Sequence, residues 1–199
     1  MVTVEELASS ALATDADISV IPYLHEDGIA FLYLMAKLQK LDGLFWHNGV
    51  PPLSEVLRRY NPSSKTSIFY GCTRKENGED RLCGFGTGDN ITALGPEPSG
   101  KMLYRVEVGE LFLREIQNTD LPMKFSRLML DDAFVRLHLG SAFGVTPTPN
   151  RAARRFMYAA GFAEIGQAPH FCSFNGQMCD AVLSVLTRER WQAGAMYGN

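Results

Sequence analysis

The stretch Asn150-Arg-Ala-Ala-Arg-Arg-Phe-Met-Tyr-Ala-Ala-Gly161-Phe162 contains both ends of a helix. Asn150 is a residue type that caps the free backbone amides of a first helical turn, and Gly161 accepts the left-handed conformation in which helices commonly end. Ala153 is small enough to let another group approach. The stretch predicts a helix over residues 151–160. Taken alone, it indicates no more than a capped helix between two strands.

The elements around this helix alternate between strands and helices. Downstream, two closing strands are predicted at 162–166 and 178–187, around a loop that contains Pro169 and Gly176. Upstream, a strand is predicted at 141–147, preceded by a helix over 122–137 that begins with a proline in its first turn.

The N-terminal half predicts a strand, two helices and a β-hairpin. The β-branched run 17–24 reads as a first strand at a sheet edge, because it carries a proline. Helical spacing follows over 25–41, with a stop near Asp42-Gly43, and a shorter helix starts after Pro51-Pro52 and closes at Asn61-Pro62. Strands at 66–73 and 81–85 flank a polar turn that contains Asn77-Gly78, which is typical of a hairpin.

A long strand is predicted over 101–114, since polar and apolar residues alternate along it. Tyr104, Val106 and Val108 share one face, but the alternation shifts phase at Gly109-Glu110. A glycine at such a shift is typical of a bulge or a point where strands splay apart, although a simple surface irregularity gives the same pattern. The whole order predicts an α/β fold with a mixed, partly antiparallel twisted sheet and helices on both faces, in a single domain over 1–199 with its core at about 16–191.

Composition excludes several classes of function. The chain has 199 residues, 46% of them hydrophobic and 21% charged, with a formal net charge of −3, so no positive field attracts nucleic acid or an anionic membrane. Its apolar runs are shorter than the roughly 20 residues of a membrane span, and the acidic Met1-Val-Thr-Val-Glu-Glu start does not resemble a signal peptide. We expect a cytoplasmic protein with reduced cysteines and no metal, because neither the four cysteines nor the four histidines have metal-ligand spacing.

The C-terminal third resembles a known family. The pattern N-x-x-A…G-F…G…D-x-V-x-x-x-L-T-R-x-x-W, carried by residues 150–166 and by Asp180 to Trp191, resembles the closing half of a GNAT N-acetyltransferase. It is most similar to the branch that includes the ribosomal-protein N-terminal acetyltransferases. The predicted order of elements is also the GNAT order, which extends a weaker resemblance over most of residues 16–191.

The resemblance implies an acetyl-coenzyme A site in a cleft where two central parallel strands splay apart, with the pyrophosphate on backbone amides at the start of the following helix. The strands would be 101–114 and 141–147, and the helix the one near Pro122. A glutamate on the long strand serves as general base in the family, and a tyrosine as acid, so the expected catalytic residues are Glu107, Glu110 and Tyr158. The expected cofactor-binding residues are Phe112, Leu113, Arg114, Asn118, Thr119, Lys124, Asn150 and Ala153.

Two departures from the family pattern stand out. The family's loop at 114–127 is normally rich in glycine, since only glycine lets the backbone wrap a pyrophosphate closely, but this segment contains none. It also carries Glu115 and Asp120, which Lys124 and Arg127 could offset. The family's tyrosine position holds Met157, and Tyr158 lies one residue on, about 100° around the helix.

Two functions therefore stay open. The first is acetyl transfer from acetyl-coenzyme A by direct attack of an amine on a small molecule or a protein N-terminus, with backbone amides near Leu113 holding the thioester carbonyl. The second is a GNAT-like pseudoenzyme that serves as a structural or interaction module, for example in a viral assembly. Its contact surface would use the aromatic residues Phe45, Trp46, Phe171 and Phe174. A homo-oligomer or a larger assembly fits either function.

Overall fold

The computed structural model describes residues 13–15, 17–22, 24–41, 50–60 and 64–194. The predicted helix ends at Asp42-Gly43 and Asn61-Pro62, and the aromatic residues Phe45 and Trp46, lie outside the described residues.

The described residues form eight strands and five helices. The strands are β1 (Ala13–Asp15), β2 (Ile18–Pro22), β3 (Ile68–Glu76), β4 (Glu79–Pro96), β5 (Met102–Phe112), β6 (Leu139–Pro147), β7 (Ala163–Phe174) and β8 (Gln177–Thr187). The helices are α1 (Glu26–Leu38), α2 (Leu53–Arg59), α3 (Leu121–Arg136), α4 (Arg151–Ala159) and α5 (Arg188–Gln192).

One twisted sheet contains all of these strands, in the order β1-β2-β3-β4-β5-β6-β8-β7. The β5–β6 pair is parallel, and the other neighbouring pairs are antiparallel. The α/β fold with a mixed, partly antiparallel sheet is therefore confirmed. The predicted first strand, 17–24, corresponds to β2, but its predicted place at the sheet edge is wrong, because β1 pairs along its outer side.

Helices cover both faces of the sheet, as predicted. On one face α1 and α2 pack Leu32 and Val56 against side chains such as Phe69 and Leu111. On the other face α3 packs Phe125 and its neighbours against side chains that include Val106. Residues of β5 alternate between these two cores, which fixes the face on which each of its polar residues lies.

β4 and β7 are longer than predicted. β4 runs through Gly84, Gly86 and Gly88, which resemble turn residues in the sequence but are packed in the sheet. A Cβ at Gly88 would lie 2.8 Å from Ile68 Cγ2 and 2.9 Å from Val106 Cγ2, so close packing explains this glycine. β7 passes through Pro169 because an irregularity between Ala168 and Cys172 removes the proline from the regular ladder.

The phase shift at Gly109-Glu110 is not a bulge. β5 pairs with β4 without interruption from Phe112 opposite Gly84 to Glu107 opposite Asp89. The shift arises because Glu110 is an acidic residue on the face that packs against α3. The alternative prediction, a splay, is confirmed on the other side of β5, where β6 stops pairing after Phe143.

Within the part of the chain that the structure describes, no helix is both long and apolar enough to cross a bilayer.

Gly84→Ala should destabilise the fold, because the new Cβ would lie 2.7 Å from Phe112 Cδ1 and 2.9 Å from the backbone oxygen of Leu111. We expect a loss of roughly 1–3 kcal/mol in the free energy of unfolding, the usual cost of overpacking. Gly166→Ala is the matched control, since a Cβ there meets nothing within 4 Å. Denaturant unfolding of both variants measures the difference, and equal losses would contradict this account of β4.

Candidate functional site

The central feature of the site is the separation of β5 from β6. The two strands pair in register up to Glu107 opposite Phe143. Beyond that point β5 continues along β4 to Phe112, while β6 continues along β8 to Pro147. The gap between them opens into a cavity of about 630 Å³.

Backbone groups of β5 face this gap without a strand partner. The Leu113 amide donates to the Cys83 carbonyl at 2.9 Å, so odd-numbered residues at this end of β5 bond to β4. The Tyr104 amide donates to the His138 carbonyl at 3.2 Å, so even-numbered residues face β6. The Val108 amide belongs to the last parallel pairing, at Phe143, so the Val108 carbonyl and the amide and carbonyl of Glu110 point into the gap that β6 has left.

Glu110 is a buried carboxyl group on the cavity wall. The Ser126 hydroxyl on α3 donates to Glu110 Oε1 at 2.7 Å, and Oε2 has no hydrogen-bond partner. Burial raises the pKa of Glu110 to about 8, and the Ser126 hydrogen bond opposes this only in part. A carboxyl group with that pKa can exchange protons near neutral pH.

Glu107 lies on the opposite face of the sheet, because it is three residues from Glu110 and side chains alternate along a strand. It also lines the cavity, and its Oε2 accepts a hydrogen bond from Asn90 Nδ2 at 2.8 Å. The two predicted bases therefore reach the cavity from different faces of the sheet.

A buried polar cluster that the sequence analysis missed lies beside Glu107. Asp89, directly opposite Glu107 on β4, accepts hydrogen bonds from Arg59 Nε at 2.9 Å and from the Tyr60 hydroxyl at 2.8 Å. Burial and the Asp89 charge raise the pKa of Tyr60. Burial alone would lower the pKa of Arg59, but the charge and hydrogen bond of Asp89, together with Tyr60 and Glu107, outweigh it and the pKa is raised. All three side chains line the cavity. Asp89 lies beyond the predicted strand 81–85, in a stretch with no predicted element, so its burial left no signal in the sequence.

The segment before α3 does not offer the cradle of backbone amides that the resemblance implied. The amides of Leu113, Ile116 and Thr119 donate to carbonyls within the chain, and the Leu121 amide donates to Thr119 Oγ1 at 3.2 Å. Pro122 has no amide hydrogen. Helix starts bind phosphate through free amides, and most of those here are already bonded.

The predicted cationic contacts of this segment are also engaged elsewhere. The Arg114 guanidinium donates to the Gln39 carbonyl at the end of α1, at 3.0 and 3.1 Å. Lys124 pairs with Asp120 at 3.2 Å and with Asp17 at 3.5 Å. The structure places neither side chain on the cavity wall.

The remaining predicted residues lie at or near helix α4, and only some of them line the cavity. Asn150 Oδ1 accepts a hydrogen bond from the Ala153 amide at 3.1 Å, which confirms the predicted cap, and both residues line the cavity. Met157 also lines it, close to Gly144 of β6. The Tyr158 side chain is 81% exposed and lies off the cavity wall.

The structure thus brings together only part of the predicted site. The predicted residues on the cavity wall are Glu107, Glu110, Phe112, Asn118, Asn150 and Ala153; those away from it are Leu113, Arg114, Thr119, Lys124 and Tyr158.

A mixed sheet whose one parallel pair separates midway, with helices on both faces, is the fold of the GNAT acetyltransferases, and this chain has that fold. The solved structures similar to it include a probable acetyltransferase, with a TM-score of 0.70 and 19% identity over 91% of this chain and 98% of the other. Ribosomal-protein-S5-alanine acetyltransferase from Vibrio fischeri has a TM-score of 0.71 and 14% identity, over 91% and 98% of the two chains.

Spermidine N-acetyltransferase from Vibrio cholerae, in complex with CoA and spermine, has a TM-score of 0.74 and 14% identity, over 89% of this chain and 99% of the other. No family model matches the sequence, and no curated protein matches it. At these identities the likeness shows the fold, so function has to be argued from the cavity itself.

The buried Glu110 should make stability fall as pH rises. Its pKa is about 8 in the folded chain and near the ordinary value of 4.5 in the unfolded chain. Between these values the folded state holds a proton that the unfolded state releases, so each pH unit costs up to about 1.4 kcal/mol of unfolding free energy. Denaturant unfolding between pH 5 and 8 should show this decline in the wild type and lose most of it in Glu110→Gln.

Glu26→Gln removes an exposed carboxyl group at the start of α1 and serves as the control. It should keep the wild-type decline. A decline of the same size in Glu110→Gln would show that another group causes it.

Proposed function

We propose that this protein transfers an acetyl group from acetyl-coenzyme A to an amine within the cavity between β5 and β6. The observation that carries the proposal is the gap beyond the Glu107–Phe143 pair, where unpaired backbone groups and a carboxyl group of raised pKa lie on one wall. Acetyl-coenzyme A supplies a thioester that a neutral amine can attack directly.

The gap suits the amide-containing arm of such a donor. The Val108 carbonyl and the backbone amide and carbonyl of Glu110 can pair with the donor's amides as a neighbouring strand would, which would satisfy groups that are otherwise costly to bury. The Glu110 amide could also donate to the thioester oxygen as it gains charge during attack. Apolar side chains on the same wall, Phe112, Phe156 and Met157, would exclude water from the acyl group.

Glu110 is the general base that the geometry supports best. Its unpartnered Oε2 and its pKa of about 8 suit a group that takes a proton from an attacking ammonium, directly or through one water. Ser126 would hold the carboxyl group in place through the 2.7 Å hydrogen bond. Glu107, on the other face of the sheet, is the second candidate for the general base.

Tyr158 gains no support as the acid, because its side chain points away from the cavity. A thiolate has a conjugate-acid pKa of about 8.5, so its departure does not require a proton donor. Asn150 and Ala153, at the start of α4, keep their proposed role in binding the donor, and so do Phe112 and Asn118.

The acceptor would be an amine on a small molecule or at a protein N-terminus. Similar structures carry names that include both kinds, a spermidine acetyltransferase and a ribosomal-protein alanine acetyltransferase. A cytoplasmic location is part of the same proposal, since both kinds of acceptor occur there.

The segment before α3 favours a second candidate function, a GNAT-like module without catalysis. Most of its amides are bonded within the chain, and Arg114 and Lys124 are engaged elsewhere, so the donor's phosphates lack most of their usual partners. Phe171, which is 50% exposed, could contribute to a contact surface in such a module, and so could the half-buried Phe174.

Calorimetric titration with acetyl-coenzyme A separates the two functions. If the cleft binds the donor, heat should saturate at or below millimolar concentration, and free coenzyme A should compete. Gly144→Leu should weaken binding, because a Cβ at residue 144 already meets the Met157 side chain and the larger group would fill the gap. If no binding is seen at near-millimolar acetyl-coenzyme A, the acetyltransferase function is ruled out and the non-catalytic module is the remaining candidate.

Glu110→Gln should lower turnover on an amine panel by roughly 10²- to 10⁴-fold, the usual contribution of a general base. In the wild type kcat/KM should rise with pH through about 8, because the base acts only when it has lost its proton. Glu107→Gln is the comparison that separates the two carboxylates. A wild-type pH profile retained in Glu110→Gln would assign the base to another group.

A further inference from the structure

The charged groups of the cavity are not evenly distributed. Those on its wall, apart from Glu110, belong to α2, β4 and the neighbouring part of β5; they are Glu55, Arg59, Asp89 and Glu107. The opposite end, formed by α4, the end of β6 and residues 117–118, contributes polar and apolar side chains without charge. The two ends would therefore favour different chemical groups.

The charges at the α2–β4 end do not cancel. Arg59 and Asp89 neutralise each other across 2.9 Å. Glu107 accepts a hydrogen bond from the neutral Asn90 amide, and neither Glu107 nor Glu55 takes part in an ion pair among the described residues. This end of the cavity has three carboxylates and one cation, Arg59, which pairs with Asp89 and also interacts with Glu107, so it keeps a net negative charge.

Tyr60 and Arg59 fix the position of the Asp89 carboxylate beside Glu107. Both donate to Asp89, which holds the carboxylate still on the strand next to Glu107. Asn90 restrains Glu107 itself. The wall is thus a built surface with hydrogen-bonded side chains, rather than a set of mobile surface acids.

We infer that the acceptor carries a second group that is cationic at neutral pH, which Glu107 binds while the reacting nitrogen is neutral. The inference rests on the proposed function and names its acceptor class. An amine attacks a thioester only after it has lost its proton. The reacting nitrogen therefore cannot be the positive charge that pairs with Glu107. An acceptor with a carboxylate at that position would be repelled.

Glu107 and Glu110 are three residues apart on β5, roughly 10 Å along the strand, and their side chains lie on opposite faces of the sheet. An acceptor that contacts both therefore has its two nitrogens on a flexible chain that passes through the gap between β5 and β6. A short diamine and a peptide N-terminus followed by a basic side chain share this chemistry.

Matched ligands test the inference by direct binding, without any acyl donor. The series is 1,4-diaminobutane, pentylamine and 5-aminovalerate, in which the distal group is cationic, neutral or anionic on the same chain. NMR titration of the wild type should give the order diamine, pentylamine, aminovalerate, with the diamine bound roughly 10- to 100-fold more tightly than pentylamine, as expected for a charge-assisted hydrogen bond.

Glu107→Gln should weaken diamine binding by that same factor and leave pentylamine binding unchanged. Glu26→Gln, on an exposed acid of α1 outside the cavity, should leave both unchanged. Equal binding of the three ligands, a preference for aminovalerate, or no binding by any member of either series would overturn the inference. So would an equal effect of Glu107→Gln on all ligands.

Two peptide amides, Ala-Lys-Ala and Ala-Glu-Ala, form the second series. They distinguish a peptide acceptor from a small polyamine. Selective binding of Ala-Lys-Ala without diamine binding assigns the cation to a peptide, and the reverse assigns it to a small polyamine. Because these titrations use no donor, charge selectivity without acetyl-coenzyme A binding would defeat the proposed function alone. Acetylation of pentylamine and diaminobutane at equal efficiency would defeat this inference alone.

Discussion

The site depends on the backbone pairing that β5 and β6 give up beyond Glu107 and Phe143. Each strand keeps its other neighbour, so the sheet stays intact while a line of hydrogen-bonding groups is left open in its centre. Buried backbone groups without partners cost free energy, and a ligand that pairs with them recovers it. The cavity, the buried Glu110 and the approach of α4 all follow from this one separation.

Much of the fold could be predicted from the sequence because its signals are local. Helix α4 starts at an asparagine cap and ends before Gly161, and the β3–β4 hairpin turns at Asn77-Gly78. The extent of β4 could not be predicted, since its glycines are required by packing against side chains distant in sequence. Half of the site was missed for the same reason: the Asp89 cluster joins α2 to β4, and no sequence spacing reports that contact.

Different parts of the same cavity support the two open functions, the gap between β5 and β6 and the start of α3. The gap in the sheet has the unpaired backbone and the tuned carboxyl group that acyl transfer requires. Near the start of α3, the Leu121 amide donates to the Thr119 hydroxyl and most amides of the preceding segment are bonded in turns, where a phosphate-binding protein would keep them free. A donor could still be held mainly by its acyl arm, but affinity would then come from the gap rather than from charge on its phosphates.

Arg114 connects the segment before α3 to the end of α1. Its guanidinium and its backbone amide both bind Gln39, so the segment before α3 is tied to the last turn of α1. A donor that displaced this segment would also move the end of α1, next to Leu41 on the cavity wall. The two substrates would then bind in a preferred order, because the first to arrive would reshape the wall against which the second one fits.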